Sequence, residues 1–122
     1  MSRILVVDDY EDLTQVLKIL LKKQGFTVDT CSKSDEIFDK IYSFAPDLII
    51  LDIFLENETG KSICMKIKNM ESIRHIPVIL FTAHRIPDEF LNNTMHDDFI
   101  QKPFDIDELL NKINKHLPAV SV

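Results

Sequence analysis

The chain has 122 residues, 45% of them hydrophobic and 28% charged, with a net charge of −6 and a pI near 5.1. This length suits one domain, expected to span 1–122, and the composition is that of an ordered globular chain. The acidic balance excludes a general nucleic-acid binder, which needs a basic face.

Two cysteines, Cys31 and Cys64, have no disulfide or metal-ligand spacing and read as buried, idle thiols. The apolar run Ile4-Leu5-Val6-Val7 closes on Asp8 and Asp9. It is too short for a signal peptide or a membrane span, so no membrane contact and a cytoplasmic, reducing location are expected. A continuous apolar run of this length reads as a strand buried on both faces, because a half-exposed strand would alternate.

Leu13, Val16, Leu17, Leu20 and Leu21 then form an amphipathic helical stripe, with Gly25 placed as a C-terminal cap. Phe26-Thr27-Val28-Asp29-Thr30 alternates and predicts a half-exposed edge strand. Ser34 is placed to cap a second helix with Ile37, Phe38, Ile41 and Tyr42 inward, ended by Pro46. Leu48-Ile49-Ile50-Leu51 is another unbroken apolar run, and it ends on Asp52. After a loop, Gly60 opens a helix bearing Ile63, Cys64, Ile67 and Met70. A fourth strand over Ile76–Phe81 closes on Thr82. Pro87-Asp88-Glu89-Phe90-Leu91 looks like the first turn of a short fourth helix, and a weak fifth strand over Asp97–Gln101 precedes Lys102-Pro103. Asp105 and Glu108 can cap a last helix with Ile106, Leu109, Leu110, Ile113 and Leu117 inward, stopped by Pro118.

Strand and helix alternate five times, which implies right-handed crossovers and a three-layer, doubly wound parallel sheet with five helices. All strand carboxyl ends then share one edge. Asp8, Asp9, Asp52, Thr82 and Lys102 meet there. Each carboxylate pair at ~5 Å and an effective dielectric of ~20 repels by roughly 3 kcal/mol. One lysine does not neutralise three acids, so a hard divalent cation, Mg²⁺ most simply (or Mn²⁺), is expected. Such a site suits phosphoryl transfer, with Asp52 as nucleophile, Lys102 as a point charge and the Thr82 hydroxyl as hydrogen-bond donor.

Along essentially its whole length the sequence resembles the receiver domain of two-component response regulators, the fold of the chemotaxis response regulator. The matching residues are Asp8-Asp9, Leu51-Asp52-Ile53, Gly60, Thr82-Ala83 and Asp97 through Phe104, in that order and spacing. The resemblance implies a flavodoxin-like sheet of strand order 2-1-3-4-5 and a phosphorylation-dependent switch in a two-component phosphorelay. It implies that Asp52 takes its phosphoryl group from a histidine kinase or phosphotransfer protein. Mg²⁺ would be held by Asp9, Asp52 and the backbone carbonyl of Phe54, with Asp8 assisting through water. The Lys102-Pro103 peptide would be cis. Thr82 and Phe99 would be the switch pair, reshaping a face made by the fourth helix, fifth strand and fifth helix, where a downstream protein binds. Phe54 and His84, two residues after Asp52 and Thr82, would tune phosphoryl lifetime. The implied protein is no turnover enzyme, and a monomer or weak homodimer.

The sequence also departs from the family. The loop Phe54-Leu55-Glu56-Asn57-Glu58-Thr59-Gly60 carries Glu56 where relatives carry proline, and Met95-His96 stands where relatives often show Gly-Ala. The fourth-helix region is short by two or three residues. His75, His96 and His116 show no ligand spacing. Three rival readings stand beside the switch. An aspartate-nucleophile phosphohydrolase would want Asp-x-Asp after strand 1, where Asp8-Asp9-Tyr10 stands. A flavin carrier would meet an acidic, glycine-free loop at its phosphate. A degenerate receiver would be a constitutive interaction module.

Overall fold

A computed structural model describes residues 2–103 and 105–117. In chain order they form β1 (Arg3–Val7), α1 (Glu11–Lys23), β2 (Thr27–Cys31), α2 (Ile37–Phe44), β3 (Leu48–Asp52), α3 (Gly60–Lys68), β4 (Val78–Thr82), β5 (Asp98–Gln101) and α4 (Ile106–His116). Short 3-10 turns lie at Ser34–Glu36 and Asp88–Leu91. All strand pairings are parallel, in the order β2-β1-β3-β4-β5. This is the flavodoxin-like doubly wound sheet.

The unbroken apolar runs are explained by what each face meets. Leu5, Val7, Ile49, Leu51, Val78 and Leu80 pack with Ile37, Ile41, Ile63 and Ile67 of α2 and α3. Their alternates Ile4, Val6, Leu48, Ile50, Ile79 and Phe81 pack with Leu17, Leu21, Leu109 and Ile113 of α1 and α4. Every residue of β3 and β4 is buried. Burying one such aliphatic side chain contributes roughly 1.5–3 kcal/mol, so β3 and β4 are firmly held in the sheet. The edge strand β2 buries only Val28 and Cys31. Both thiols are buried, and burial pushes Cys64 up to about 11.

The helices differ from expectation in four places. Among the described residues there are four α-helices, not five: the fourth is a single 3-10 turn. Asn92 turns extended and Asn93 left-handed (φ 64°), conformations that asparagine favours over helix. Ser34 does not cap α2; it opens the 3-10 turn, and its carbonyl accepts the Ile37 N–H. Val16 and Tyr42 are exposed: α1 turns Thr14, Leu17 and Leu21 to the sheet with Leu13 partly buried beside them, and the Tyr42 hydroxyl bonds Ser72 at 2.7 Å. Strand 4 starts at Val78, just past Pro77. Caps that hold are Gly25 (φ 95°) beyond α1 and the Asp105 carboxylate, which accepts the Glu108 N–H at 2.8 Å. Phe104 and the expected stop at Pro118 lie outside the described residues.

Asp98 clamps α4 onto β5, bonding Lys112 Nζ and His116 Nε2 at 2.9 Å each. Burial works against its charge, yet the bonds from Lys112 and His116 and the Phe99 N–H hold Asp98 down to about 2. A lowered carboxylate pKa stabilises the fold above the unfolded value near 4, and that contribution is lost as pH falls towards 2. Asp98→Asn is therefore expected to cost about 1–2 kcal/mol at pH 7 in urea unfolding. The gap to the parent should narrow from about pH 4 and close only below about pH 2; a gap independent of pH would refute the clamp.

Candidate functional site

Register brings the acids together. β1 pairs with β3 as Val6↔Ile50 and Val7↔Leu51, so the next residues, Asp8 and Asp52, leave the sheet side by side. By the same alternation they follow Ile4, Val6, Leu48 and Ile50 onto the α1/α4 face. Asp52 pairs in register with Phe81, and Lys102 reaches over that ring, with Nζ 4.2 Å from its centroid. From there Lys102 Nζ bonds Asp8 Oδ2 at 2.9 Å and lies 3.6 Å from Asp52 Oδ2. Asp8 is 1% and Asp52 7% exposed, while Asp9 faces solvent.

Carboxylate oxygens of Asp8, Asp9 and Asp52 lie within 4.8 Å of one another. Burial, then the neighbouring Asp8 carboxylate, pushes Asp52 up to about 6, against the pull of Lys102 and of the Phe54 N–H. Three hard oxygen donors around one ammonium fit a small divalent cation, which binds by carboxylates and tolerates retained water. The Phe54 N–H donates to Asp52 Oδ1 at 3.2 Å, so the Phe54 backbone also lies at the cluster.

The other expected residues surround this centre. Thr82, fully buried, ends β4 one residue past the register partner of Asp52. Its Oγ1 accepts the His84 N–H at 3.1 Å. The His84 ring meets Phe54 edge-on, with centroids 4.8 Å apart, and Phe54 in turn packs on Phe90 at 5.8 Å. Phe99 is half-buried and registers with Leu80, away from the acid cluster. The Lys102–Pro103 peptide is cis.

Two residues carry more than their sequence positions suggested. A Cβ at Gly60 would lie 2.2 Å from the Asp52 carbonyl oxygen and 2.8 Å from Ile53 Cα. Gly60 therefore lets α3 start hard against the end of β3, and its N–H donates to the Ile53 carbonyl. Thr59 caps α3 by accepting the Ser62 N–H at 3.1 Å. Gln101 lies in the fifth strand and in the family-matching run, and neither placement implies a role for its side chain. Its Nε2 donates to the carbonyls of Thr82 (2.9 Å), His84 (3.2 Å) and Lys102 (3.3 Å), tying the Thr82 and Lys102 loops together. No spacing signal marks such a tie; only the adjacency of β4 and β5 creates it.

Fold and site together define a class: a doubly wound α/β protein with a three-acid cluster at the switch point between β1 and β3. Residues 4–114 match the family model described as the response regulator receiver domain. The chain is 37% identical to the response regulator ArlR of Staphylococcus aureus over 115 residues, 93% of this chain and 51% of ArlR. It resembles the response regulator TrrA of Thermotoga maritima, solved in complex with Mg(2+)-BeF, at 32% identity and TM-score 0.83, covering 96% of this chain and 100% of that one. A two-component response regulator from Clostridium difficile matches at 30% identity and TM-score 0.86, over 95% of each chain. The chain belongs to the response regulator receiver domain family. It spans about half the length of the curated relatives it matches.

Proposed function

We infer that the 122 residues are one receiver domain and that Asp52 is its phosphoacceptor. A nearly buried carboxylate beside two other acids, with Lys102 Nζ 2.9 Å from one and 3.6 Å from another, carries this reading. An Asp52 oxygen attacks phosphorus in line, the donor's P–N or P–O bond breaks, and the pair of electrons leaves with the donor. Lys102 then balances charge on the phosphoryl oxygens, and the Thr82 hydroxyl donates to one of them. Asp9 and Asp52, with the Phe54 carbonyl and with Asp8 through water, would hold Mg²⁺ or Mn²⁺, whose charge offsets that of the acids and the phosphoryl group. In this reading the protein acts as a phosphorylation-dependent switch and not as a turnover enzyme.

The donor is a histidine kinase or phosphotransfer protein. A groove of about 490 Å³ beside the site, walled by Leu13, Val16, Leu20, Pro103 and Ile106 with Lys102 at its edge, suits an apolar partner surface that brings its phosphohistidine to Asp52. Output passes to a downstream protein through the face built by the Asp88–Leu91 turn, β5 and α4, with Phe99 within it. No described helix is long and apolar enough to cross a membrane, and a cytoplasmic location accords with two buried free thiols.

Incubation with acetyl phosphate and Mg²⁺ should add one phosphoryl group by intact mass. Asp52→Asn should add none, and uptake by that variant would sink the assignment. Phe54 shields the phosphoryl group from water, and His84, whose ring packs on Phe54, is a second position that tunes its lifetime. Phe54→Asn, which replaces a ring by a group able to hold water, should speed phosphoryl loss by about tenfold in a timed decay. An unchanged decay would remove Phe54 from that role.

A further inference from the structure

The two helices on one face of the sheet are short: α2 has eight residues and α3 nine. Each spends its central line on the strands, Ile37 and Ile41 from one and Ile63 and Ile67 from the other. Beside that line Phe38 of α2, Met65 of α3 and Met70 just beyond it stay half-buried and wall a cavity of about 730 Å³. Methionine adapts its shape to what it meets, so this wall suits an apolar guest. A second cavity of about 500 Å³, lined by Ile41, Tyr42, Ser72 and Ile73, lies further along the same pair. The Tyr42 ring is exposed there.

The rim of the larger cavity is basic on an acidic protein. Residues 60–75 hold Lys61, Lys66, Lys68 and Arg74 against Glu71 alone, a net +3 on a chain of net −6. Lys68 turns inward to Asp97 and the Ile76 carbonyl, but Lys61 and Lys66 stand at the cavity. Lys61 makes no ion pair among the described residues; its ammonium lies 5.2 Å from the Phe90 ring centroid. Lys66 pairs with Glu58 near the surface, where salt and competing carboxylates loosen such a contact. Among the described residues no acid lines this cavity.

We propose that the groove between α2 and α3 docks an acidic amphipathic helix of a second protein. Apolar side chains of that helix enter between Phe38, Met65 and Met70, and its carboxylates take Lys61 and Lys66. The guest is a helix because the walls are side chains of two helices and offer no strand edge. A segment lying there has to satisfy its own backbone N–H and C=O groups. The same walls disfavour nucleic acid, since two lysines amid apolar side chains reach few phosphates. This surface lies across the sheet from α1 and α4, and it stands independently of the phosphoacceptor reading.

The test pans a phage-displayed library of random peptides of about 16 residues, roughly four helical turns, on the full chain. Clones that bind Met65→Gln equally well are discarded. Surviving peptides should carry Asp or Glu beside Leu, Phe or Trp at helical spacing. Their amide shift changes on labelled protein should gather on residues 38–42 and 61–70. In fluorescence anisotropy, Lys61→Glu should weaken the best peptide by about tenfold, and added salt should weaken its binding to wild type. Both variants should keep the urea midpoint of wild type; if Met65→Gln does not, Lys61→Glu replaces it in the counter-selection. Phosphoryl uptake from acetyl phosphate should be unchanged in Lys61→Glu, which keeps the two readings apart. No surviving clones, survivors without acids, or shifts gathered elsewhere overturn the proposal. So does an oligonucleotide that binds this face more tightly than the best peptide, or self-association of wild type that Lys61→Glu abolishes.

Discussion

Gly60→Ala is expected to lower stability by about 3 kcal/mol or more and to abolish phosphoryl uptake at Asp52. The added Cβ would sit 2.2 Å from the Asp52 carbonyl oxygen, and that atom belongs to the fully buried β3. Overpacking costs about 1–3 kcal/mol where side chains can adjust, and here the obstacle is backbone. Either α3 or the end of β3 must shift, and a shift of either disturbs the setting of Asp52. Gly25→Ala is the matched control. Its φ of 95° is unfavourable for alanine, but nothing lies within 4 Å, so about 1–2 kcal/mol of conformational cost should appear with uptake intact. Urea midpoints and intact mass measure both. Equal losses in the two variants would show that contact with the Asp52 carbonyl is not what selects glycine.

Asp52→Asn should make the protein more stable in the absence of divalent cations, by about 1–2 kcal/mol at pH 7.5. Burial and Asp8 raise the Asp52 pKa to about 6, so the folded protein holds this proton more tightly than the unfolded chain does. Stability conferred by the proton is present below about pH 4 and is lost as pH rises through about 6. The neutral amide escapes that loss, while Lys102 keeps its bond to Asp8. Mg²⁺ should reverse the order by binding the ionised parent more tightly than the variant. Thermal unfolding with EDTA and then with Mg²⁺, at pH 4.5 and 7.5, separates the terms. A variant no more stable than its parent in EDTA at pH 7.5 would mean that the three acids are not in conflict.

Much of this was readable from residue order because parallel sheets convert order into place. A run such as Leu48–Leu51 with no polar interruption has to be covered on both faces, and the acid that ends it has to surface at the shared edge. Asp8, Asp9, Asp52 and Lys102 were legible for that reason, and the structure brings their side chains together. Gly60 was visible as a helix opener and as part of the family pattern, but not for its close approach to Asp52, because its obstacle is a carbonyl on another element. Gln101 was invisible as a tie for the same reason. The 88–96 segment misled in the opposite direction: its Pro87, acids and apolar spacing are those of a helix, while Asn92 and Asn93 tip it into turns. Val16 and Tyr42 fit an apolar stripe by spacing, but short helices press only their central line against a sheet.

The seating of β3 at the middle of the sheet has a consequence for how such a molecule can vary. With neighbours bonded on either side and helices above and below, the strand under Asp52 is enclosed, and the surface around its end is where a change at Asp52 can be read. Substitutions on that outer surface should therefore leave the seat of Asp52 undisturbed, whereas substitutions within β3 should not.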